Sequence, residues 1–198
     1  QHGAHWLHEV FERSAAQFPA LTALSVPETG ESLTYAELDE LANQLASVVS
    51  DAVSEVDQGV AVRLPQDSAI VVALHLAILK AGATQCFIDP DAPEELLLRV
   101  LSDARPALLI SDVLPAGYTG ALLSPEDLLR QAESRPTRAP SAPWLDDPQS
   151  RLASLFYTSG TTGHPKGVEC PHAGYINLAQ SYATFYDSVS YTHLTLPT

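Results

Sequence analysis

Hydrophobic and polar positions follow a helical period in the first part of the chain. Apolar side chains recur every three or four residues from Leu7 to Phe18, and Pro19 ends the helix that they predict. Thr34 and Glu37 form a capping box, in which the hydroxyl and the carboxylate each satisfy a free N–H group at a helix start. A continuous apolar stripe follows this box and predicts a second amphipathic helix.

Short apolar runs alternate with further helical segments. The predicted strands are 22–26, 60–64, 84–88, 107–111 and 152–157, and further helices are predicted at 68–81, after Pro93 and after Ser124. Strands that alternate with helices pair in parallel, because each helix returns the chain to the same end of the sheet. The predicted fold class is therefore layered α/β with mainly parallel strands.

A proline-rich stretch divides this pattern. Residues 134–150 have little periodicity and contain several prolines, which predicts a surface linker. The linker separates a first α/β subdomain, residues 1–133, from the start of a second subdomain, residues 151–187. Residues 188–198 are rich in serine and threonine and carry no charged side chain. We expect them to be an atypical tail, as a fusion scar would be.

The charge balance excludes some classes of partner. Acidic residues outnumber basic ones by 24 to 10, and the formal net charge is −14. The chain has only two lysines, Lys80 and Lys166, so it has no basic patch to attract nucleic acid phosphates or anionic lipid. We therefore predict that neither nucleic acid nor a membrane is a partner.

Cysteine usage indicates a reducing compartment. Cys86 and Cys170 are far apart in the sequence and form no C-x-x-C pair, which is typical of a cytoplasmic protein with incidental thiols. The N-terminus shows no secretory signal pattern, so we expect a cytoplasmic location. His2, His5 and His8 recur every three residues, but without a cysteine or acidic cluster they predict no metal site.

The segment after the linker carries the candidate chemistry. Residues 158–167 hold three glycines, four hydroxyl side chains and a lysine. Glycines let backbone N–H groups approach an anion, hydroxyls donate to phosphate oxygens, and a lysine supplies a point charge. From Ala139 onward the only other permanent cation is Arg151. The predicted phosphate-binding residues are Thr158, Ser159, Gly160, Thr161, Thr162, Gly163, Lys166 and Gly167.

Two other interpretations fit this segment less well. A plain glycine and threonine turn between two strands has no need of four hydroxyls and a lysine together. A Walker A loop, G-x-x-x-x-G-K-[ST], does not fit, because Pro165 stands before the lysine and Gly167 replaces the Ser/Thr that would hold magnesium. The segment therefore predicts a phosphate loop of another geometry.

Several motifs occur in the order of one known family. They are Leu33–Leu38, Leu79–Ala83 continuing to Ile88-Asp89-Pro90, Tyr157–Gly163 with Pro165–Gly167, and the spaced residues His172, Gly174 and Asn177. On these motifs the chain resembles the adenylate-forming (AMP-binding) superfamily, which includes nonribosomal peptide synthetase adenylation domains, acyl-CoA ligases and luciferases. The resemblance extends from about Leu7 to Tyr186, and the third motif is its most specific part.

The resemblance implies a two-step reaction. A carboxylate attacks the α-phosphate of Mg-ATP to give an acyl-adenylate and pyrophosphate. The acyl group then passes to a thiol, on a carrier-protein phosphopantetheine or on coenzyme A. The implied cofactors are ATP and Mg²⁺, and the chain would be the N-terminal part of the large domain.

The same resemblance suggests roles for individual residues. Ser159, Thr161 and Thr162 would donate hydrogen bonds to the β- and γ-phosphates, and Lys166 would offset charge as pyrophosphate leaves. His172 resembles the family's histidine near the carboxylate pocket, and a purely packing role at a helix start stays open for it. The expected catalytic residues are Lys166 and His172.

Departures from the family pattern leave alternatives open. Phe87 stands where the family usually has proline, which we expect to alter packing only. The substrate-pocket segment, the adenine and ribose motifs, the hinge and the C-terminal catalytic lysine do not occur in the 198 residues. We therefore expect a fragment that is inactive alone. Residues 88–93 favour amino-acid adenylation, while an acyl- or aryl-CoA ligase fragment and a non-catalytic fragment with weak nucleotide binding are the alternatives.

Overall fold

The computed structural model describes residues 5–27, 29–66, 68–142, 146–158 and 164–178. The helices are α1 (Leu7–Gln17), α2 (Tyr35–Ser50), α3 (Ala69–Lys80), α4 (Glu94–Ala104) and α5 (Pro125–Ala132). The strands are β1 (Thr22–Val26), β2 (Glu31–Thr34), β3 (Gly59–Arg63), β4 (Thr84–Phe87), β5 (Leu108–Ser111), β6 (Leu122–Leu123), β7 (Leu152–Thr158) and β8 (Lys166–Pro171). Residues 172–178 are also helical.

Parallel pairing dominates the main sheet. In the described part of the chain this sheet has six strands in the order β6-β5-β3-β4-β7-β8. All neighbours are parallel except β7 and β8, which form an antiparallel hairpin. β1 and β2 form a separate antiparallel pair. The predicted class, α/β with mainly parallel strands, is confirmed.

Helix α2 begins at the predicted capping box. Thr34 Oγ1 accepts a hydrogen bond from the Glu37 N–H group at 3.2 Å, and the Glu37 carboxylate accepts one from the Thr34 N–H group at 2.8 Å. Both otherwise unpaired donors at this helix start are thereby satisfied. Ser124 caps α5 with a single bond, in which its hydroxyl oxygen accepts from the Asp127 N–H group at 3.1 Å.

The central strands of the sheet, β3, β4 and β5, are buried on both faces. Val60 and Val62 of β3 pack on one side with α2, α3 and α5, whereas Ala61 between them packs on the other side against α4. This alternation follows from the two-residue period of a strand. Each large aliphatic side chain buried in this way contributes about 1.5–3 kcal/mol relative to an exposed one. None of the helices in the described residues is long and apolar enough to cross a membrane.

A buried lysine of α3 forms ion pairs with one carboxylate of α1 and one of α2. The Lys80 side chain is 1% exposed, and its Nζ lies 2.6 Å from Glu12 Oε1 and 2.9 Å from Asp39 Oδ1. Two carboxylates surround the ammonium group, so its charge is compensated where water is excluded. Lys80 belongs to the second of the motifs noted above, and its contacts here are structural.

Strands on both sides of the proline-rich stretch share one sheet. β7, which follows the stretch, pairs with β4, which precedes it. Residues 134–142 and 146–150 contain no helix or strand. Division of the chain into subdomains at 1–133 and 151–187 stays a prediction, and the tail 188–198 lies outside the described residues.

Breaking the buried ion cluster tests its contribution to stability. We expect Lys80→Met to lower the free energy of unfolding by about 2–3 kcal/mol, because two partly exposed carboxylates lose their counter-charge. Urea titration of the chain measures the change. The triple variant Lys80→Met/Glu12→Gln/Asp39→Asn should recover at least half of it. Arg130→Met, which removes an exposed pair with Asp127, should change stability by less than about 0.5 kcal/mol.

Candidate functional site

The predicted phosphate loop lies at the tip of the β7–β8 hairpin. Thr158 pairs with Lys166 and Tyr157 with Gly167 at the last described rungs of this ladder. Residues 159–163 of the candidate loop, from Ser159 to Gly163, lie outside the described residues. The loop thus joins two antiparallel strands, so a turn between strands and a phosphate-binding loop are not exclusive interpretations.

The hairpin brings the loop to the carboxyl edge of the parallel sheet. β4 and β7 run in parallel, so Phe87 and Thr158 end at the same edge. A cleft of about 120 Å³ opens there, and its lining includes Asp89, Tyr157, Thr158 and Pro165. Ligands of open α/β sheets bind outside the carboxyl ends of the strands. The second motif and the candidate loop therefore meet at the edge where a ligand is expected.

Lys166 supplies the available positive charge at the hairpin. Its side chain is exposed, and among the described residues it makes no ion pair. Arg151, the other permanent cation of this half, is bound at 3.0 Å to Asp57 and at 2.9 Å to Asp146. No carboxylate of the described residues pairs with the Lys166 ammonium group, so its positive charge can attract a polyphosphate that approaches the hairpin.

A tyrosine fixes the end of β7 to helix α4. The Tyr157 hydroxyl donates to Asp103 Oδ2 at 2.6 Å. Burial, followed by this hydrogen bond and the negative charge of Asp103, raises the pKa of the Tyr157 hydroxyl, so the hydroxyl stays protonated and keeps donating. Sequence reasoning missed this contact, because the partners are 54 positions apart and neither stands out by pattern.

The predicted catalytic histidine is buried behind the hairpin. The Leu7 N–H group donates to His172 Nδ1 at 3.0 Å, so the neutral ring carries its proton on Nε2. The ring also meets Trp6 and His8 edge-on, with centroids 5.1 and 5.9 Å away. Burial, and then the neighbouring His8, lower the pKa of His172 to about 4.

His8 completes a neutral aromatic cluster with Trp6 and His172. Burial, followed by the positive charge of Lys80, lowers the pKa of His8 to about 4. Its Nδ1 is buried and has no hydrogen-bond partner among the described residues. These are the contacts of packing side chains that attach α1 to the start of the 172–178 helix. A catalytic role of His172 stays a prediction.

The chain belongs to the AMP-binding enzyme family. The family's sequence profile matches residues 11–197, which is nearly the whole chain. Malpinin synthetase of Mortierella alpina is 38% identical over 184 residues, which cover 91% of this chain and 2% of that protein. A dimodular nonribosomal peptide synthase of Bacillus subtilis (strain 168) is 36% identical over 182 residues, covering 87% of this chain and 8% of that protein.

Solved structures agree with this assignment. The NpsA N-terminal subdomain of Klebsiella oxytoca in complex with 3-hydroxybenzoyl-AMSN has a TM-score of 0.72 at 29% identity, covering 84% of this chain and 41% of that one. NpsA-ThdA, an artificially fused Adenylation-PCP di-domain NRPS from the same organism, has a TM-score of 0.74 at 27% identity, covering 87% and 31%. The chain thus spans less than half the length of each of these four proteins.

The buried histidines make folding sensitive to acid. Their pKa values are lower in the folded than in the unfolded chain, so the unfolded chain binds more protons between about pH 4 and 6.5. Stability therefore falls as the pH drops through this window, by about 1 kcal/mol per pH unit for each imidazole. We expect His172→Asn, whose amide oxygen can still accept from Leu7, to lose about half of this pH dependence in urea titrations at pH 7, 6 and 5. His5→Asn, at an exposed position, is the control, and an unchanged slope for His172→Asn would contradict the assignment.

Proposed function

We propose that this chain holds the polyphosphate of Mg-ATP while a carboxylic acid is activated as its acyl-adenylate. The observation that carries the proposal is the hairpin at the carboxyl edge of the sheet, with Lys166 at the base of the candidate loop and without an ion pair in the described part of the chain. Membership of the AMP-binding enzyme family supports it. The two free cysteines, Cys86 and Cys170, fit a reducing compartment such as the cytoplasm.

The chemistry assigns the loop an electrostatic role. A carboxylate oxygen of the acid attacks the α-phosphorus of ATP, and the bond from that phosphorus to the bridging oxygen of pyrophosphate breaks. Negative charge builds on the leaving pyrophosphate, so donors fixed in advance around its oxygens lower the barrier. In this proposal the donors are Thr158, the backbone and hydroxyls of 159–163, and Gly167. Lys166 offsets charge, and the magnesium ion enters with the nucleotide as part of the substrate.

An amino acid is the substrate class that we favour. The similarity to a dimodular nonribosomal peptide synthase supports an amino acid, and the similarity to a fused Adenylation-PCP di-domain supports a carrier-protein phosphopantetheine as acceptor. The alternative is an acyl or aryl acid, with coenzyme A as acceptor. The NpsA complex contains 3-hydroxybenzoyl-AMSN, so aryl acids are among the substrates to be tested.

A non-catalytic fragment is the second candidate function. The chain covers 31–41% of the two NpsA chains, so contacts to adenine and ribose would come from the remainder of a longer protein. The 198 residues alone should then form no adenylate and bind ATP weakly through its phosphates. Adenylate formation by the purified chain would support full activity and exclude this candidate.

Pyrophosphate exchange into ATP distinguishes the substrate classes. The assay uses the full-length protein that carries this chain, with amino acids, fatty acids and aryl acids offered separately. We expect exchange that depends on one or a few amino acids. Exchange with fatty or aryl acids alone would select the ligase alternative, and exchange without any carboxylic acid would refute adenylation.

Lys166 provides the test of the loop's charge. We expect Lys166→Ala to lower the exchange rate more than about tenfold, because about 1.4 kcal/mol or more of transition-state stabilisation is lost. Lys166→Arg keeps the charge and should retain much more activity than the alanine variant. The Lys166 side chain is exposed, so neither substitution should lower the melting temperature. Wild-type rates in Lys166→Ala would remove this residue from the mechanism.

A further inference from the structure

The hairpin that carries the candidate loop has a narrow backbone attachment to the sheet. β4 and β7 share one aligned pair, Gln85 with Ser154, whereas β3 and β4 share four. In the described part of the chain, side-chain contacts supplement this pairing. The Thr84 hydroxyl donates to the Leu152 carbonyl oxygen at 3.5 Å. The Ser154 hydroxyl donates to Gln85 Oε1, also at 3.5 Å. These are long hydrogen bonds, so stronger contacts elsewhere must fix the hairpin.

The strongest contacts come from one carboxylate in the loop between α2 and β3. Asp57 Oδ1 accepts from the Leu152 N–H group at 2.9 Å, and Oδ2 accepts from Arg151 Nη1 at 3.0 Å. The side chains of Asp57 and Arg151 are only 27% and 21% exposed, which limits screening by water. Two charge-assisted hydrogen bonds thus hold Leu152, the first residue of β7, and Arg151 just before it.

The same point also holds the returning strand. The Arg151 carbonyl oxygen accepts from the His172 N–H group at 3.0 Å, directly after β8, and Leu152 is aligned with Pro171. Asp57 is therefore bound to the base of the hairpin, which is the end farthest from the loop, where Leu152 of β7 is aligned with Pro171 of β8. Displacement of this base would move both strands and the loop between them.

The backbone of Asp57 adopts a conformation that favours glycine. Its φ angle is 56°, and Arg105 is the other non-glycine residue with positive φ among the described residues. Aspartate tolerates this region better than most residues, but glycine enters it without steric hindrance. Glycine at this position would keep the backbone conformation and remove only the side-chain contacts with Arg151 and Leu152.

We propose that Asp57 is a positioning residue, which fixes the base of the β7–β8 hairpin and thereby aims the phosphate loop. Tyr157, bound to Asp103, is the second fixed point near the other end of β7. Two separated points define the direction of a rigid hairpin, whereas one point lets it pivot. A misplacement of about 1 Å can cost about a hundredfold in rate, so pivoting matters for catalysis. This inference rests on the function proposed above.

Hydrogen exchange of the chain tests the fixed base without reference to activity. The variants are Asp57→Gly, which removes the carboxylate at a backbone suited to glycine, and Asp57→Asn, which keeps an acceptor for Leu152 but loses the charge. We expect amides of 152–158 and 166–173 to exchange about tenfold faster in Asp57→Gly, with a smaller change in Asp57→Asn. Amides of α2 and α3 should keep their protection. Arg105→Gly, the matched backbone control, should leave the hairpin unchanged.

Kinetics of the full-length protein test the consequence for the reaction. We expect Asp57→Gly to lower kcat about tenfold or more with a smaller change in KM for ATP, while Arg105→Gly stays within about twofold. The double variant Asp57→Asn/Arg151→Gln should have a kcat no lower than that of the slower single variant, Asp57→Asn or Arg151→Gln. Both substitutions remove the same contact, so their effects should not add.

The possible outcomes separate this inference from the function proposed above. Wild-type hairpin exchange in Asp57→Gly overturns the positioning role, and so does loss of protection throughout the chain in both Asp57 variants. Faster hairpin exchange with wild-type kcat also overturns it. If the wild-type protein activates no carboxylic acid, the proposed function fails, while hydrogen exchange still decides whether Asp57 fixes the hairpin.

Discussion

The candidate site depends on the parallel contact between β4 and β7. Gln85 and Ser154 are 69 positions apart in the sequence, and their pairing places the carboxyl ends of the two strands side by side. Without it, the second motif and the candidate loop would have no common edge. The cost of closing so long a chain segment grows only slowly with its length, so this one pair can hold it together with the contacts of Asp57.

Local charge, rather than net charge, decides what the hairpin can bind. The chain carries a formal charge of −14, which repels polyanions at long range. At physiological ionic strength this field is screened beyond about 8 Å, so a phosphate group responds to the charges nearest to it. Asp57 and Asp146 compensate Arg151, while Lys166 at the loop is not paired with a carboxylate in the described ranges. Asp89 lines the cleft at this edge, so Lys166 and the loop donors have to outweigh one nearby carboxylate when phosphate binds.

Sequence patterns predicted the buried parts of the fold much better than its edges. The buried strands β3 and β5, the capping box of Thr34 and the long helices follow from apolar pattern and cap chemistry. The pattern does not predict three strands: β2 has four residues and no buried position, β6 has only two residues, and β8 contains glycine and proline with mostly exposed positions. Such strands form because a partner strand is present, and no local signal reports this.

The site could be predicted only where its chemistry is local in sequence. The loop motif places glycines, hydroxyls and a lysine within ten residues, so composition alone points to phosphate. The contacts of Asp57 with Arg151 and of Tyr157 with Asp103 join residues 94 and 54 positions apart. Nothing in the spacing of these residues reveals the partners, because the fold alone brings them together. His172 was singled out by resemblance, and its burial against Trp6 and His8 depends on tertiary packing as well.

The placement of Asp57 resolves an apparent conflict between its charge and a polyanionic ligand. Asp57 precedes β3 and contacts the first residues of β7, so it lies at the amino edge of the sheet. Six residues of extended strand separate Leu152 from Thr158, a distance of about 20 Å. Arg151 compensates the carboxylate, and over this distance the remaining interaction of the ion pair with phosphate is small. A carboxylate in this position can fix the hairpin strongly without repelling phosphate at its tip, whereas the same charge at the carboxyl edge would oppose Lys166.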